Sequence, residues 1–539
     1  MPIYPMDRQV VENLKQARLH PALRRWALST GCSGLVVLGL GGLGAPAHAL
    51  EQIVVPLPLL QTSFTVKLAD LRNPSTLLSG NSDLAQLDQA TNGDLGRKLV
   101  GLVNTPLPLE VTRFTDTSVG SPLLNQALMI VSAIFQVKGV PQPIDSQELA
   151  AVFNRAAAKG SPTLLDVLEA IPGQSATLDL EQAVLAADRL IRQQAEGERL
   201  VKAIPTAAID PALTRMGPRA IKLAEQTIRV AYRPQPLSIV SVMPTTGANG
   251  RLVVISHGLW DDPESFQGWA KHLASHGYTV LIPRHPGSDL SQQRSMLAGE
   301  TPPPSPEDLI LRPMDISAAI DAAAKGTLTA LPANLRTDDV VGMGQSWGAT
   351  DMLQLAGAQP SNALMIKRCP NLSNPARNLS WVLQCSFLKT ANRAGRADPR
   401  IKAVMVVSPV TSLLFNVGSA GKMNARVLLV SGTHDWVVPS GPEALIPMAQ
   451  EARNVGGGHQ VVLAKGGTHF NLRATLEQGG GPLGALLLAW TNGAFAAGPA
   501  AAPGPNAPLL LPPDGWGDST YPLVNVTTEL KTRPIPASQ

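Results

Sequence analysis

Val340-Val341-Gly342-Met343-Gly344-Gln345-Ser346-Trp347-Gly348, running on into Ala349 to Ala356, decides the fold. The apolar run Val340 to Met343 reads as a strand buried on both faces, as in a parallel sheet covered by helices. The stretch after Gly348 is helix-forming. Between them lies Gly344-x-Ser346-x-Gly348, a serine on a strand–turn–helix junction. Such a sharp turn holds the serine in a strained backbone conformation and lifts its hydroxyl above the sheet. A side chain at either glycine would collide with the turn. The pattern has no second match in the chain.

Working outward, strands alternate with helices from about residue 218. Expected strands are Thr227 to Ala231, Leu237 to Val242, Leu252 to Ser256, Thr279 to Pro283, Ala403 to Val407, Val427 to Ser431 and Gln460 to Leu463. Ser265 to His276 and Asp315 to Ala324 read as helices between them. This alternation implies α/β architecture with a doubly wound, mainly parallel sheet.

Residues 50–205 read as a separate, mostly helical module. It opens with two short strands around Ile53-Val54-Val55 and Phe64-Thr65-Val66. Ser161-Pro162 signals a helix start, and another helix opens at Asp179 with Leu180, Val184, Leu185, Leu190 and Ile191 on one stripe. The module holds no His, Cys or paired-carboxylate cluster with catalytic spacing. Residues 206–490 form the sheet-bearing domain, and 491–539 read as a Pro/Ala/Gly-rich linker or disordered tail.

The chain has 539 residues, 44% hydrophobic and only 16% charged, which excludes a charge-driven disordered protein. Its formal charge of +4 does not point to nucleic acid, because residues 1–49 carry +3 of it and no basic stripe remains. Those 49 residues instead read as a signal peptide: Arg24 and Arg25, an uncharged run from Trp26, and the small-x-small ending Ala47-His48-Ala49. Cleavage there leaves no transmembrane helix and an exported, periplasmic or secreted protein. It also leaves two cysteines, Cys369 and Cys385, in an oxidising compartment, where a disulfide between them is expected. They bracket Pro370 to Gln384, within an insertion around 369–398 placed where a lid would sit.

A serine hydroxyl needs a base, and the base an orienting carboxylate. Of nine histidines, His469 follows the last of these strands, in Gly466-Gly467-Thr468-His469-Phe470. Asp435 follows Val427 to Ser431, in Gly432-Thr433-His434-Asp435-Trp436. Ser346, Asp435 and His469 are therefore the expected catalytic residues, in the chain order of an α/β-hydrolase. His434 and His459 are the weaker alternatives for the base. The developing oxyanion needs two N–H donors, for which Trp347 and Leu259 are the candidates. His257, beside Leu259, is expected to be a structural hydrogen-bonder. Trp260, Trp381 and Trp436 lie beside these loops or in the insertion and are candidates for an apolar substrate pocket. No metal-binding motif or phosphate-binding P-loop is present, so neither metal nor cofactor is expected.

Val254-Ile255-Ser256-His257-Gly258-Leu259, the Gly344-to-Gly348 pentapeptide, the Asp435 and His469 loops, and Arg312-Pro313-Met314-Asp315-Ile316 together carry a resemblance. Residues 250–475 resemble the α/β-hydrolases of the dienelactone hydrolase and platelet-activating-factor acetylhydrolase group. The whole chain resembles exported cyanobacterial hydrolases whose N-terminal domain carries no assigned role. The resemblance implies an α/β-hydrolase fold and cofactor-free hydrolysis of a small-molecule or lipid carboxylic ester. There are two departures. The acetylhydrolases carry their acid one strand earlier, where Ser408-Pro409-Val410 offers none here, and a dienelactone hydrolase proper uses cysteine where Ser346 stands. A serine peptidase or acyltransferase on the same triad, or a catalytically silent envelope binding protein, is the alternative. The helical module is expected to pack near the site and restrict access.

Overall fold

The computed structural model describes residues 49–57, 62–107, 111–138, 140, 142–158, 160–454, 457–504 and 506–532. The leader expected over 1–49 lies outside them except for Ala49. Among the described residues no helix is long and apolar enough to cross a membrane.

The N-terminal part is mostly helical but not wholly so. β1 (Gln52–Leu57) and β2 (Thr62–Lys67) form where the sequence indicated, and β3 (Phe135–Val137) and β4 (Ser175–Leu178) join them. The four make one small sheet ordered β2-β1-β4-β3. Leu50, Leu68, Leu71, Leu77, Leu84 and Leu165 close its core. One helix start differs from the sequence expectation. Thr163, not Ser161, caps Leu164–Ala170, because Thr163 and Asp166 satisfy each other's backbone amides in a capping box.

From residue 221 onward the chain builds a nine-stranded sheet from β5 (Ile221–Ile228), β6 (Leu237–Pro244), β7 (Leu252–Ser256), β8 (Thr279–Pro283), β9 (Val340–Gln345), β10 (Ile401–Val407), β11 (Arg426–Gly432), β12 (Gln460–Ala464) and β13 (Leu523–Asn525). Their order is β13-β12-β11-β10-β9-β7-β8-β6-β5. β7 through β12 pair in parallel, while the pairs made by β5, β6 and β13 are antiparallel. β5 begins earlier than Thr227 because its half-exposed alternation suits a sheet edge rather than a buried run.

Strand residues alternate between two apolar layers. Val253, Ile255, Val341 and Met343 face the helices Gln267–Ser275 and Gly484–Ala497. Leu252, Val254, Val340 and Val404 face the helices Asp308–Ala324 and Trp347–Leu355. Helices on both faces of a largely parallel sheet explain why its central strands carry no polar face. The loops at the carboxyl ends of β7, β9, β11 and β12 open on one edge, the usual place for a ligand site in such sheets.

The expectation of a linker or disordered tail over 491–539 is corrected. The helix Gly484–Ala497 runs through its first residues, and Leu510, Leu511 and Trp516 are buried in one core layer. β13 then pairs with β12, and Val524, Val526 and Leu530 enter the other layer. Composition misled here because a proline has no backbone N–H that needs an acceptor, so a proline-rich segment can still be packed against a core by its apolar anchors. Their carbonyls still work: Trp516 Nε1 donates to Pro512 at 2.8 Å and Arg426 Nη2 to Pro508 at 2.5 Å. Trp516→Ala should therefore cost about 3–5 kcal/mol of stability in denaturant titrations, as for any large buried side chain. A loss below about 1 kcal/mol, the scale of a surface substitution, would mean the tail is not part of the core.

Candidate active site

Ser346 stands at the end of β9 with φ 55° and ψ −122°, a left-handed conformation that costs a non-glycine residue about 1–3 kcal/mol. Its surroundings enforce that strain. A Cβ on Gly344 would run into the backbone of Gly348, and one on Gly348 into the carbonyl of Ser256. The Ser346 N–H donates to Val407 O at 2.9 Å, tying the turn to the adjacent strand. The helix Trp347–Leu355 begins at the next residue.

Asp435 is fully buried three residues past β11. One carboxylate oxygen accepts from the amides of Val437 at 2.9 Å and Val438 at 2.7 Å, and the other meets His469 Nδ1 at 2.9 Å. With Nδ1 committed to the acid, Nε2 is the ring atom left to serve as a base. Phe470 stands edge-on to the His469 ring at 5.1 Å, and Trp436 lies 6.3 Å from Phe470. Gln345 Nε2 donates to the carbonyl of His469 at 2.9 Å, so the residue before the serine holds the histidine loop beside it. Ser346 and His469 do not themselves share a hydrogen bond. The rival histidines are engaged elsewhere: His434 faces Glu198 at 3.3 Å, and His459 Nδ1 accepts from the Val427 amide at 3.1 Å.

The loop after β7 lies against the serine. A Cβ on Gly258 would sit 3.2 Å from Ser346 Cβ and 2.7 Å from Gln345 Oε1. This brings the Leu259 amide alongside the turn that carries the Trp347 amide. Neither donates to an acceptor among the described residues. His257 is structural: its Nδ1 bonds Gly258 O at 2.9 Å and its Nε2 accepts from the His285 amide at 3.0 Å.

Arg312 locks this loop from beneath. Its Nη2 donates to His257 O, Nη1 to Ser288 Oγ at 2.8 Å, and Nε to Asp351 Oδ2 at 2.9 Å. Its guanidinium also lies 4.8 Å from the Trp347 ring. Arg312 thus joins the loop after β7 to the helix that follows Ser346. The sequence showed it only as part of a motif, without this task.

Beside it is a second Ser–His–Asp arrangement. His285 Nε2 lies 3.0 Å from Ser256 Oγ, and His285 Nδ1 lies 3.0 Å from Asp315 Oδ2. All three side chains are 0% exposed, so no substrate reaches them. Ser256 also donates to Asp351 Oδ2 at 2.9 Å, and Arg233 bonds both Asp308 and Asp315 at 2.7 Å. This cluster is a buried support, not a catalytic site. Burial and the positive charges of Arg312 and Arg233 drive the His285 pKa well below the ordinary imidazole value of 6.5. Burial, with His285 and Arg312 beside it, does the same to His257. Burial raises Asp351 to about 6 despite its pairing with Arg312.

The insertion is covalently closed: Cys369 and Cys385 form a disulfide with Cα atoms 5.8 Å apart. In the chain-entropy model a loop of about 15 residues stabilises by about 3 kcal/mol. Glu443, which the sequence reading did not single out, pins the same segment. Its buried carboxylate accepts from Asn378 at 2.8 Å, Ser380 at 2.9 Å and the Ser412 hydroxyl at 2.6 Å. Trp381 is fully buried against Trp347 and Phe387, with Nε1 on Ser412 Oγ at 3.0 Å, so it is packing rather than pocket surface. Trp260 is half-buried and Trp436 is 47% exposed.

The N-terminal part touches this assembly directly. From the helix Leu180–Ala203, Gln194 Nε2 donates to Asp435 O at 3.1 Å, and Gln193 Nε2 to Pro375 O and Arg377 O at 3.1 and 3.0 Å. Leu123, from the helix Pro122–Ile134, is buried in the same cluster as Trp347 and Trp381. Among the described residues no group of three or more His, Cys, Asp or Glu is placed to hold a metal. Compared with protein-family models and with curated proteins, the chain matches none.

The buried histidines set a pH dependence. Their folded pKa values lie below the unfolded 6.5, so the stability they contribute is present above that pH and lost as pH falls through it. Asp351, raised to about 6, acts in the opposite sense. Burial lowers His272 and His459 to about 4, in the same sense as His257 and His285. Denaturant titrations at pH 7.5 and 6.0 should therefore show a net loss of about 2–3 kcal/mol at the lower pH. Equal or greater stability at pH 6.0 would contradict neutral burial of these four rings.

Proposed function

We propose that this protein is a serine hydrolase of the α/β-hydrolase kind, cleaving carboxylic esters through an acyl-enzyme. The observation that carries the reading is the backbone of Ser346. A positive φ at a serine, clamped between two glycines that admit no side chain, holds a hydroxyl at the carboxyl edge of a parallel sheet. The Asp435–His469 pair and the free amides of Leu259 and Trp347 support it.

In this mechanism Ser346 Oγ attacks the ester carbonyl while His469 Nε2 takes its proton. Asp435 holds the ring through Nδ1 and stabilises the imidazolium. The Leu259 and Trp347 amides receive the oxyanion, and His469 then protonates the departing alkoxide. Water, deprotonated by the same histidine, attacks the acyl-enzyme and frees the acid. No cofactor takes part. The substrate is a small-molecule or lipid ester, and the N-terminal helices, bonded to the acid loop and the insertion, restrict its approach. The disulfide suits an exported protein, since such bonds persist in oxidising compartments.

A series of p-nitrophenyl esters of increasing acyl length tests this. Wild-type protein should turn over members of the series, and Ser346→Ala should lower kcat by about 10³-fold or more, leaving the residual rate of an oxyanion site alone. Turnover retained in Ser346→Ala would overturn the mechanism.

A further inference from the structure

A cavity of about 230 Å³ lies between the helices Pro122–Ile134 and Leu180–Ala203 on one side and the disulfide-closed insertion on the other. Leu190, Leu379 and Trp436 give it apolar walls, and Arg189 and Arg377 also line it. Arg377 is only 6% exposed. Its Nε donates to Asn371 O at 3.2 Å and its Nη2 to Cys369 O, both neutral carbonyls, and its guanidinium lies 5.2 Å from the Trp381 ring. Nη1 has no partner among the described residues. Neither Arg377 nor Arg189 forms an ion pair among them. The neighbouring carboxylates are engaged elsewhere: Asp188 pairs with Arg192, and Glu443 accepts from Asn378, Ser380 and Ser412.

A buried cation without a counter-charge is costly. Burial and the neighbouring Arg189 push the Arg377 guanidinium down to about 10. Arg189 is lowered too, by burial and Arg192. Two guanidiniums on one apolar-walled cavity form a receptor for a carboxylate or phosphate attached to an apolar body. Trp436 also ties the cavity to the candidate active site, because it follows Asp435 and pairs with Phe470 against His469.

We infer that Arg189 and Arg377 bind the anionic group of an apolar substrate, so that the ester presented to Ser346 carries a carboxylate or a phosphate. The substrate half of this inference rests on the serine-hydrolase reading, but the anion site does not.

The test separates the two. Calorimetry on Ser346→Ala protein, which cannot turn over ligand, compares octanoate, octyl phosphate, inorganic phosphate and octanol. Octanoate or octyl phosphate should bind at least about tenfold tighter than octanol or inorganic phosphate, the scale of a hydrogen bond to a charged group. The tighter of the two identifies the anion. Adding Arg189→Gln should weaken that binding by about tenfold or more, while Arg189→Lys keeps the charge and restores most of it. With Ser346 intact, the ratio of kcat/KM for a p-nitrophenyl monoester of a dicarboxylic acid to that for a neutral ester should fall when Arg189→Gln is introduced. Anions that bind no better than octanol, or binding indifferent to Arg189→Gln, would overturn the anion site even if neutral esters are hydrolysed. Inorganic phosphate binding as tightly as octyl phosphate would overturn the apolar part of the proposal. Arg189-dependent anion binding in a protein that hydrolyses no ester would leave the site standing and remove the hydrolase reading.

Discussion

The backbone of one residue constrains everything around it. Ser346 is held at positive φ because the strand before it and the helix after it close on each other with no room for a side chain at Gly344 or Gly348. Strain of this kind persists only where the surroundings over-determine it. Here β10 supplies a carbonyl to the serine amide, the β7 loop presses Gly258 against its Cβ, and Gln345 reaches across to the histidine loop. The sheet order brings those three loops to one edge.

Beneath the loops a buried polar cluster does the holding. Arg312 bonds the carbonyl of His257 and the carboxylate of Asp351, which lies on the helix that Ser346 opens. A movement of either element would leave a guanidinium or a carboxylate unpaired in a dry interior, which is far more costly than breaking a surface pair. Ser256, His285 and Asp315 have the spacing of a catalytic relay, yet exposure separates them from the site above. Their side chains are sealed, whereas Ser346 and His469 keep 7% and 6% of their surface open.

Much of this was legible from local pattern. The apolar run before Gly344 predicts a doubly buried strand, and β9 is buried at every position. The loops carrying Asp435 and His469 were readable because each follows such a run, and the two side chains share a hydrogen bond. What escaped the reading depends on distant partners. Glu443 is an unremarkable acid in Gly441-Pro442-Glu443 until Asn378, Ser380 and Ser412 converge on it. His285 carries no local signal because its partners Ser256 and Asp315 lie about 30 residues away on either side. The tail was misread because composition counts prolines but does not see Trp516 filling a core site. Trp381, read as a pocket wall, is core for the same reason: it is buried in one cluster with Leu123, Trp347 and Leu413, all distant in the chain.

Ser256 is sealed beside His285, whereas Ser346 keeps part of its surface open. The most direct measurement is covalent labelling of the native protein with a fluorophosphonate, followed by peptide mass spectrometry to locate the adduct. The expected result is a single phosphonylated site at Ser346, lost when His469 is replaced by alanine. Labelling at Ser256, or no labelling of the folded protein, would contradict it.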